Sequence, residues 1–263
     1  MTSSTRPHGL QRVSAGGPGP LYRQVKRELQ RVVENGRFAP GDSLPSESVV
    51  AQAFGVSIGT LRKAVDELVH EHVLVRHQGK GTFVALHNDA RFLFQFFHVE
   101  PREEFPFDSS LREREYPQVD CVSFARTRAD EVEAAVLRLH PGDPVVRIDN
   151  RLSLAGRAVV HDRLVVAAHT FKGLTEQRFL SRPSTIYNLY QTDHGITVLR
   201  ARERARATAA SRETARILGV APGLPVLEVH RVALTFGDKP VEYRVSIINT
   251  AMHDYVSLLS KRT

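Results

Sequence analysis

Pro45-Ser-Glu-Ser-Val-Val-Ala-Gln-Ala-Phe-Gly-Val-Ser-Ile-Gly-Thr-Leu-Arg62 reads as a short helix, a tight turn and the opening of a second helix. Ser46 suits a helix N-cap, because a hydroxyl there can accept from an otherwise unpaired backbone N–H. Val49, Val50 and Ala53 form an apolar stripe at helical spacing. Gly55 stops the helix, since glycine tolerates the left-handed conformation of a C-terminal cap. Ser57 caps the next helix, whose stripe is Leu61, Val65, Leu68 and Val69. Two short helices joined by such a turn make a helix-turn-helix. Ser57, Gly59, Thr60, Arg62 and Lys63 are left facing outward. Small, hydroxylic and basic side chains at the start of the second helix suit entry into a DNA major groove. An ordinary helical hairpin with a solvated face would carry the same pattern.

On the N-terminal side, Leu21, Val25, Leu29, Val32 and Val33 predict an amphipathic helix over Leu21–Asn35, capped by Gly36. A turn at Phe38–Asp42 leads into the pair. On the C-terminal side, Val73–Val84 holds two β-branched runs around the tip Gly79-Lys80-Gly81, a β-hairpin. Helix-turn-helix plus hairpin is a winged helix, with Gly79 and Lys80 at the wing tip. Gly-Lys-Gly lacks the spacing of a phosphate-binding loop and lies between strands, so nucleotide binding is rejected. His70 and His72 do not share a helix face and have no third ligand, so no metal site is expected.

The chain has 263 residues, 41% of them apolar, a formal charge of +7 and a pI near 9.8. The length fits two ordinary domains, and the charge favours an anionic partner such as nucleic acid. The lone Cys121, beside Val122 and Phe124, excludes a disulfide framework and multi-cysteine zinc patterns and reads as a structural thiol. No apolar run reaches the roughly 18 residues of a membrane span, and the start lacks a signal-peptide core. A cytoplasmic protein without membrane partners is expected. Residues 1–19, rich in Ser, Gly, Pro and Thr, read as a disordered tail in which Arg6 and Arg12 are the only candidate phosphate contacts.

Leu21–Val84 resembles the DNA-binding domain of GntR-type bacterial transcription regulators. The resemblance rests on Pro20-Leu21-Tyr22, Gly41–Glu47, Phe54–Ser57, Thr60–Ala64 and Gln78–Val84, in order and at family spacing. It implies DNA contacts at Ser48, Thr60, Arg62 and the wing Gly79. With the outward residues, the candidate DNA-binding set is Ser46, Ser48, Ser57, Gly59, Thr60, Arg62, Lys63, Gly79 and Lys80. Ser48 and Ile58 stand where members often have Arg, so a different operator is expected, with Ile58 offering an apolar contact to a thymine methyl.

Beyond a linker at residues 87–91, Arg91–His98 alternates as an aromatic strand, and Glu100–Tyr116 reads as a charged loop. The remainder contains an internal repeat. A shift of 81 residues superposes Thr127 on Thr208, Ala129 on Ala210, Leu137 on Leu218, Pro141-Gly142 on Pro222-Gly223 and Pro144-Val145 on Pro225-Val226, with eight identities in nineteen positions. Asp130 and Ser211 align as helix N-caps. Each copy reads as strand, capped helix, Pro-Gly turn and long hairpin, the hairpins pivoting near Gly156 and Gly237. Two copies would form one mainly antiparallel sheet with pseudo-two-fold symmetry. Ser184–His194 reads as a helix ended by Gly195.

This part, residues 92–259, resembles the UTRA effector domain of the HutC subgroup, whose fold is that of chorismate lyase. Leu137–Val145, Arg151-Leu152, Leu218–Pro225 and Val241–Arg244 carry the likeness. The expected fold class is α+β: a winged helix-turn-helix domain at 20–86, then a chorismate-lyase-like domain for ligand sensing and dimerisation. The resemblance implies ligand contacts at Arg151 on the first hairpin and at Asp162 on its returning strand. Glu242 and Arg244 occupy the corresponding strand of the second copy. Ser153 departs from the family's Arg-x-Arg pair. Arginine favours an anionic effector, because its planar fork pairs bidentately with carboxylate or phosphate. The expected partners are double-stranded DNA with a palindromic operator, a small-molecule effector and a second copy of the chain. No cofactor is implied. A chorismate-lyase-like enzyme is the alternative, but no Ser–His–acid motif, metal spacing or paired carboxylates appear. His161 and Asp162, adjacent on a strand, point to opposite faces. An RNA-binding or purely architectural DNA protein is a third class, and it would leave the second domain unexplained.

Overall fold

A computed structural model describes residues 10, 12–13, 19–86, 98–102 and 116–256, in two compact units, Met1–His87 and Asn88–Thr263. In the first unit, α1 (Leu21–Glu34) buries Val25, Leu29, Val32 and Val33, and the chain leaves it through Gly36 at φ +67°. Then come α2 (Glu47–Phe54), α3 (Ile58–His70), β1 (Leu74–His77) and β2 (Gly81–Val84). Gly55 between α2 and α3 is left-handed at φ +71°. The buried stripe of α2 is Val50, Ala51 and Phe54, and Val49 is 37% exposed. This corrects the expected Val49–Val50–Ala53 stripe. Phe54 is the largest apolar side chain of α2 and is fully buried, so it sets the rotation of the helix.

β1 and β2 form the antiparallel wing, Leu74 opposite Val84 and His77 opposite Gly81. Leu44 N–H donates to the Thr82 carbonyl at 2.8 Å, beside an isolated antiparallel bridge between Ser43 and Phe83. Most of the stretch read as a tail lies outside the described residues. Its described members are attached: Leu10 is buried, Val13 N–H donates to the Phe54 carbonyl at 3.0 Å, and Arg12 lies against Gly55. Its Gly/Ser/Pro-rich composition hides this contact.

The second unit is built on the repeat. One copy gives β4 (Gln118–Arg128), α4 (Glu131–Leu137), β5 (Pro144–Leu154) and β6 (Arg157–Ala167). Between the copies lie α5 (Glu176–Leu180) and α6 (Ile186–His194). The other copy gives β7 (Arg200–Ala209), α7 (Arg212–Leu218), β8 (Pro225–Leu234) and β9 (Pro240–Ile248). The six strands form one antiparallel sheet in the order β4-β5-β6-β9-β8-β7. The pseudo-two-fold axis therefore passes between β6 and β9. The caps repeat: Asp130 accepts from Glu133 N–H at 2.8 Å, and Ser211 from Thr214 N–H at 3.1 Å.

Alternation along the strands gives the sheet two apolar faces. Val145, Val165 and Tyr243 pack with Ala134 and Leu137 of α4, and Val226 with Ala215 of α7. On the opposite face, Val146, Ile148, Leu164 and Val166 pack with Phe179 of α5 and with Tyr187 and Tyr190 of α6. β3 (Val99–Pro101) pairs antiparallel with β10 (His253–Tyr255) and covers Leu152, Val160, Val229 and Ile248. Glu100 is thus in a strand, not in the expected loop, because its backbone pairs with Asp254. Residues 91–97 and 103–115, read as strand and loop, lie outside the described residues. Helix α6 starts at Ile186, capped by Thr185, two residues after the expected start at Ser184, and ends at Gly195 at φ +65° as expected. Cys121 is half-buried, and burial raises its thiol pKa.

Candidate functional site

Two groups of side chains have more chemistry than packing requires. The first lies on α3 and the wing. Ser57 caps α3 by accepting from Thr60 N–H at 3.2 Å, and its hydroxyl also meets that of Thr60 at 2.9 Å. Ser46 stands at the N-cap of α2 without capping; its hydroxyl bonds Ser48 Oγ at 3.0 Å. Ser46, Ser48, Ser57, Gly59, Arg62, Lys63, Gly79 and Lys80 are all exposed and Thr60 is partly so. Ile58 beside them is also exposed.

The charges here are held in place. Arg62 Nε donates to Glu47 Oε2 at 2.6 Å, Arg76 reaches the other oxygen of Glu47 at 3.5 Å, and Arg76 also pairs with Asp66. This alternating chain ties α2, α3 and β1 together. Lys63 differs from the expectation of a free outward cation. Its ammonium lies 4.2 Å from the ring centroid of Tyr22 on α1, a cation–π contact. At the wing tip, Lys80 N–H donates to the His77 carbonyl at 3.0 Å, with Gly79 left-handed at φ +73°. This tight turn presents the Lys80 side chain outward.

The second group lies on the sheet face covered by α6. A row of directly opposed residues, Cys121–Asn150–Asp162–Ser246, crosses β4, β5, β6 and β9. Next to it Arg244 Nη1 donates to Asp162 Oδ2 at 2.9 Å, and Arg244 Nε to Glu242 Oε1 at 3.0 Å. Glu242 is completely buried and accepts from Tyr187 Oη at 3.1 Å and Tyr190 Oη at 2.7 Å. Burial opposes the charge of Arg244, yet the Glu242 and Asp162 carboxylates outweigh it and raise its pKa well above the ordinary value. Burial and the Glu242 charge raise both tyrosines, which stay protonated donors. On β8, Arg231 pairs with Glu203 of β7, which also meets the Tyr255 hydroxyl.

Of the four sequence-predicted ligand residues, Asp162, Glu242 and Arg244 come together and Arg151 does not. Arg151 is opposite His161, on the α4/α7 face of the sheet, and pairs with Asp120 at 3.0 Å. Strand parity accounts for this, since 151 shares its face with Val145, which packs under α4. The tyrosines were missed because Tyr187 and Tyr190 look like core residues of an amphipathic helix. A cavity of about 30 Å³ between Asp162, Arg231, Arg244, Ser246 and Tyr255 has room for one or two waters. A wider cleft of about 410 Å³ lies beside Leu139, Thr170 and Pro240, but its charged residues Arg138, His169 and Lys239 are all exposed. The buried charges make the Arg244 cluster the better ligand candidate. Among the described residues no group of His, Cys, Asp and Glu could hold a metal ion, and no helix is long and apolar enough to cross a membrane.

Residues 113–254 match the UTRA domain family, and residues 21–84 match the bacterial regulatory proteins of the gntR family. The HTH-type transcriptional repressor NagR of Bacillus subtilis (strain 168) is 28% identical over 254 residues, spanning 95% of this chain and 98% of NagR. The histidine utilization repressor of Pseudomonas putida is 26% identical over 224 residues, 82% of each chain. Among solved structures, the ligand-binding domain of a regulator assigned to the GntR family from Bordetella bronchiseptica is 33% identical. It covers 63% of this chain and 98% of its own, with a TM-score of 0.57.

Proposed function

We propose a mechanism from the premise that this chain belongs to the GntR family of bacterial regulatory proteins, HutC subgroup, with a C-terminal UTRA domain. It is a ligand-responsive transcription regulator. It acts as a repressor, as the names of its relatives suggest. Two copies bind an inverted repeat, each inserting the N-terminal end of α3 into the major groove of one half-site. Thr60 and Arg62 read base edges, Ile58 contacts a thymine methyl, and Ser46, Ser48, Ser57, Gly59 and Lys63 adjust to the bases and sugar-phosphate nearby. Gly79 and Lys80 hold a flanking phosphate. The observation that carries this reading is the continuous exposed face of α3, with Arg62 pre-oriented by Glu47.

The effector, a small anion, occupies the site of Asp162, Glu242 and Arg244. It relieves repression only as far as it binds the DNA-free state better; about 1–3 kcal/mol of coupling gives roughly 5–150-fold release. These residues sense the ligand without transforming it, and the protein works in the cytoplasm.

Selection of bound sequences from a random DNA pool tests the first half. The expected product is one enriched motif with two inverted half-sites. Enrichment of no motif, with binding that simply tracks salt, would mean an architectural protein. The second half is tested by adding small-molecule extract to the selected complex, with release of DNA expected.

A further inference from the structure

We propose that Arg182, with Arg244, forms a two-arginine clamp for a carboxylate or phosphate group of the effector. This rests on the reading that the second unit is the sensor. It assigns the anion contact to a residue on the α5–α6 connection instead of to Arg151.

Five described arginines of the second unit are not exposed: Arg147, Arg163, Arg182, Arg231 and Arg244. Four have carboxylate partners, Arg147 with Glu133, Arg163 with Asp149, Arg231 with Glu203, and Arg244 with Asp162 and Glu242. Arg182 is the exception. Its guanidinium lies 4.1 Å from the Phe179 ring centroid and gives one N–H to the Phe179 carbonyl at 2.5 Å. Its Nε is shielded from solvent and has no hydrogen-bond partner among the described residues. Arg244 lies on the same aromatic cluster, 5.8 Å from the Tyr187 ring centroid, and Phe179 and Tyr187 pack together. Burial lowers the Arg182 pKa, and the Arg244 charge lowers it further. A shielded guanidinium with an unused donor and a second cation as neighbour is incomplete without an anion.

A second orphan lies on the same side of the sheet. Asn150 is buried, and its Oδ1 has no partner. It stands in the polar row between Cys121 and Asp162, and Cys121 in turn is an electrostatic neighbour of Arg182. An unused acceptor and an unused cationic donor on the same side of the sheet describe the complement: a small acid that also carries an O–H or N–H. Its anionic end lies between Arg182 and Arg244, and its donor meets Asn150. The Tyr187 and Tyr190 hydroxyls donate to Glu242, and Glu242 and Asp162 both pair with Arg244, so the cation of the group without a carboxylate partner among the described residues is Arg182.

The test uses the full-length protein and two probes, inorganic phosphate and malonate, titrated calorimetrically at constant ionic strength. Saturable binding of at least one is expected, and the stronger identifies the anionic group. Arg182→Gln should weaken it about tenfold or more, as for loss of a charge-assisted contact. Arg182→Lys keeps the charge but loses the fork, so it should bind between the two. It also carries the test if the glutamine variant does not fold. Arg151→Gln should bind as the wild type does. Wild-type binding by Arg182→Gln overturns the clamp, as does failure of both probes to saturate. Metabolite-driven release of DNA that persists unchanged in Arg182→Gln also overturns the clamp but leaves the sensor standing. Absence of any release from the wild type removes the sensor reading itself.

Discussion

Glu47 of α2 and Arg62 of α3 form an ion pair of 2.6 Å that leaves Arg62 63% exposed. A contact so open to water contributes little to stability. Its effect is to fix the direction of a long side chain that would otherwise sample many rotamers, which lowers the entropic cost of engaging a base. Arg62→Ala should cost about 1–3 kcal/mol of specific DNA binding and leave the melting temperature almost unchanged. Gel-shift titration on the selected motif and on scrambled DNA separates the two effects. Equal loss on both sequences would assign Arg62 to phosphate contact only.

Lys80 at the wing tip should behave differently. Lys80→Ala is expected to weaken binding to all sequences alike and to reduce the slope of log K against log salt by about 1. Affinity measured at several chloride concentrations checks this, and an unchanged slope would remove Lys80 from the backbone contacts.

Arg244 and Arg151 make a contrasting pair. Arg244→Ala strands two buried carboxylates, Asp162 and Glu242, and should destabilise the protein by about 3–5 kcal/mol. Arg151→Ala removes one exposed pair with Asp120 and should stay within about 0.5 kcal/mol of the wild type. Urea unfolding of the two variants decides it; similar midpoints would show that the Arg244 cluster is hydrated.

Asp149 predicts an acid-sensitive joint on the opposite face. Its carboxylate meets His161 at 3.3 Å, Arg163 at 2.8 Å and the Ser123 hydroxyl at 2.9 Å, and His161 also bonds Thr214 of α7. Burial alone would raise its pKa, but these partners pull it down to about 2 from an ordinary 3.8. A depressed carboxylate stabilises the fold above its unfolded pKa. That contribution, of the order of 2 kcal/mol, is complete above about pH 5 and is lost as pH falls from about 4 through 2. Asp149→Asn should flatten the stability profile in that window. A wild-type-like acid limb in this variant would assign acid unfolding elsewhere.

The sequence-to-structure correspondence was closest where spacing is rigid. Gly55, Ser57 and the Leu61–Leu68 stripe placed the helix-turn-helix because capping and helical period are local properties. The 81-residue shift placed every strand of the sheet, since both copies obey the same turn chemistry at Gly142 and Gly223. Arg151, expected beside Asp162 and Arg244 through family likeness, lies on the other face of the sheet, as its strand parity with Val145 requires. Arg182 left no periodic signal, lying in the irregular segment between α5 and α6. Its significance comes from what surrounds it in three dimensions. The α2 stripe slipped by one position because Phe54, at the helix end, outweighs Val49 in buried area.

The β6–β9 seam has a further consequence for how the chain reaches this state. Every other neighbouring pair in the six-stranded sheet belongs to a single copy of the repeat, whereas the seam joins Val160–Val165 to Tyr243–Ile248, about 80 positions away. Loop-closure entropy makes this the most expensive pairing of the sheet. Each copy can assemble its own three strands and helix first, and the seam then closes between two near-equivalent edges. Pulse-labelled hydrogen exchange would see the amides of Val160–Val165 that bond to β9 protected after those of the β4–β5, β5–β6 and β7–β8 pairs; simultaneous protection would mean one concerted step. Asp162 and Arg244 pair diagonally across that seam, so the charge pair of the sensor exists only once the two halves have met.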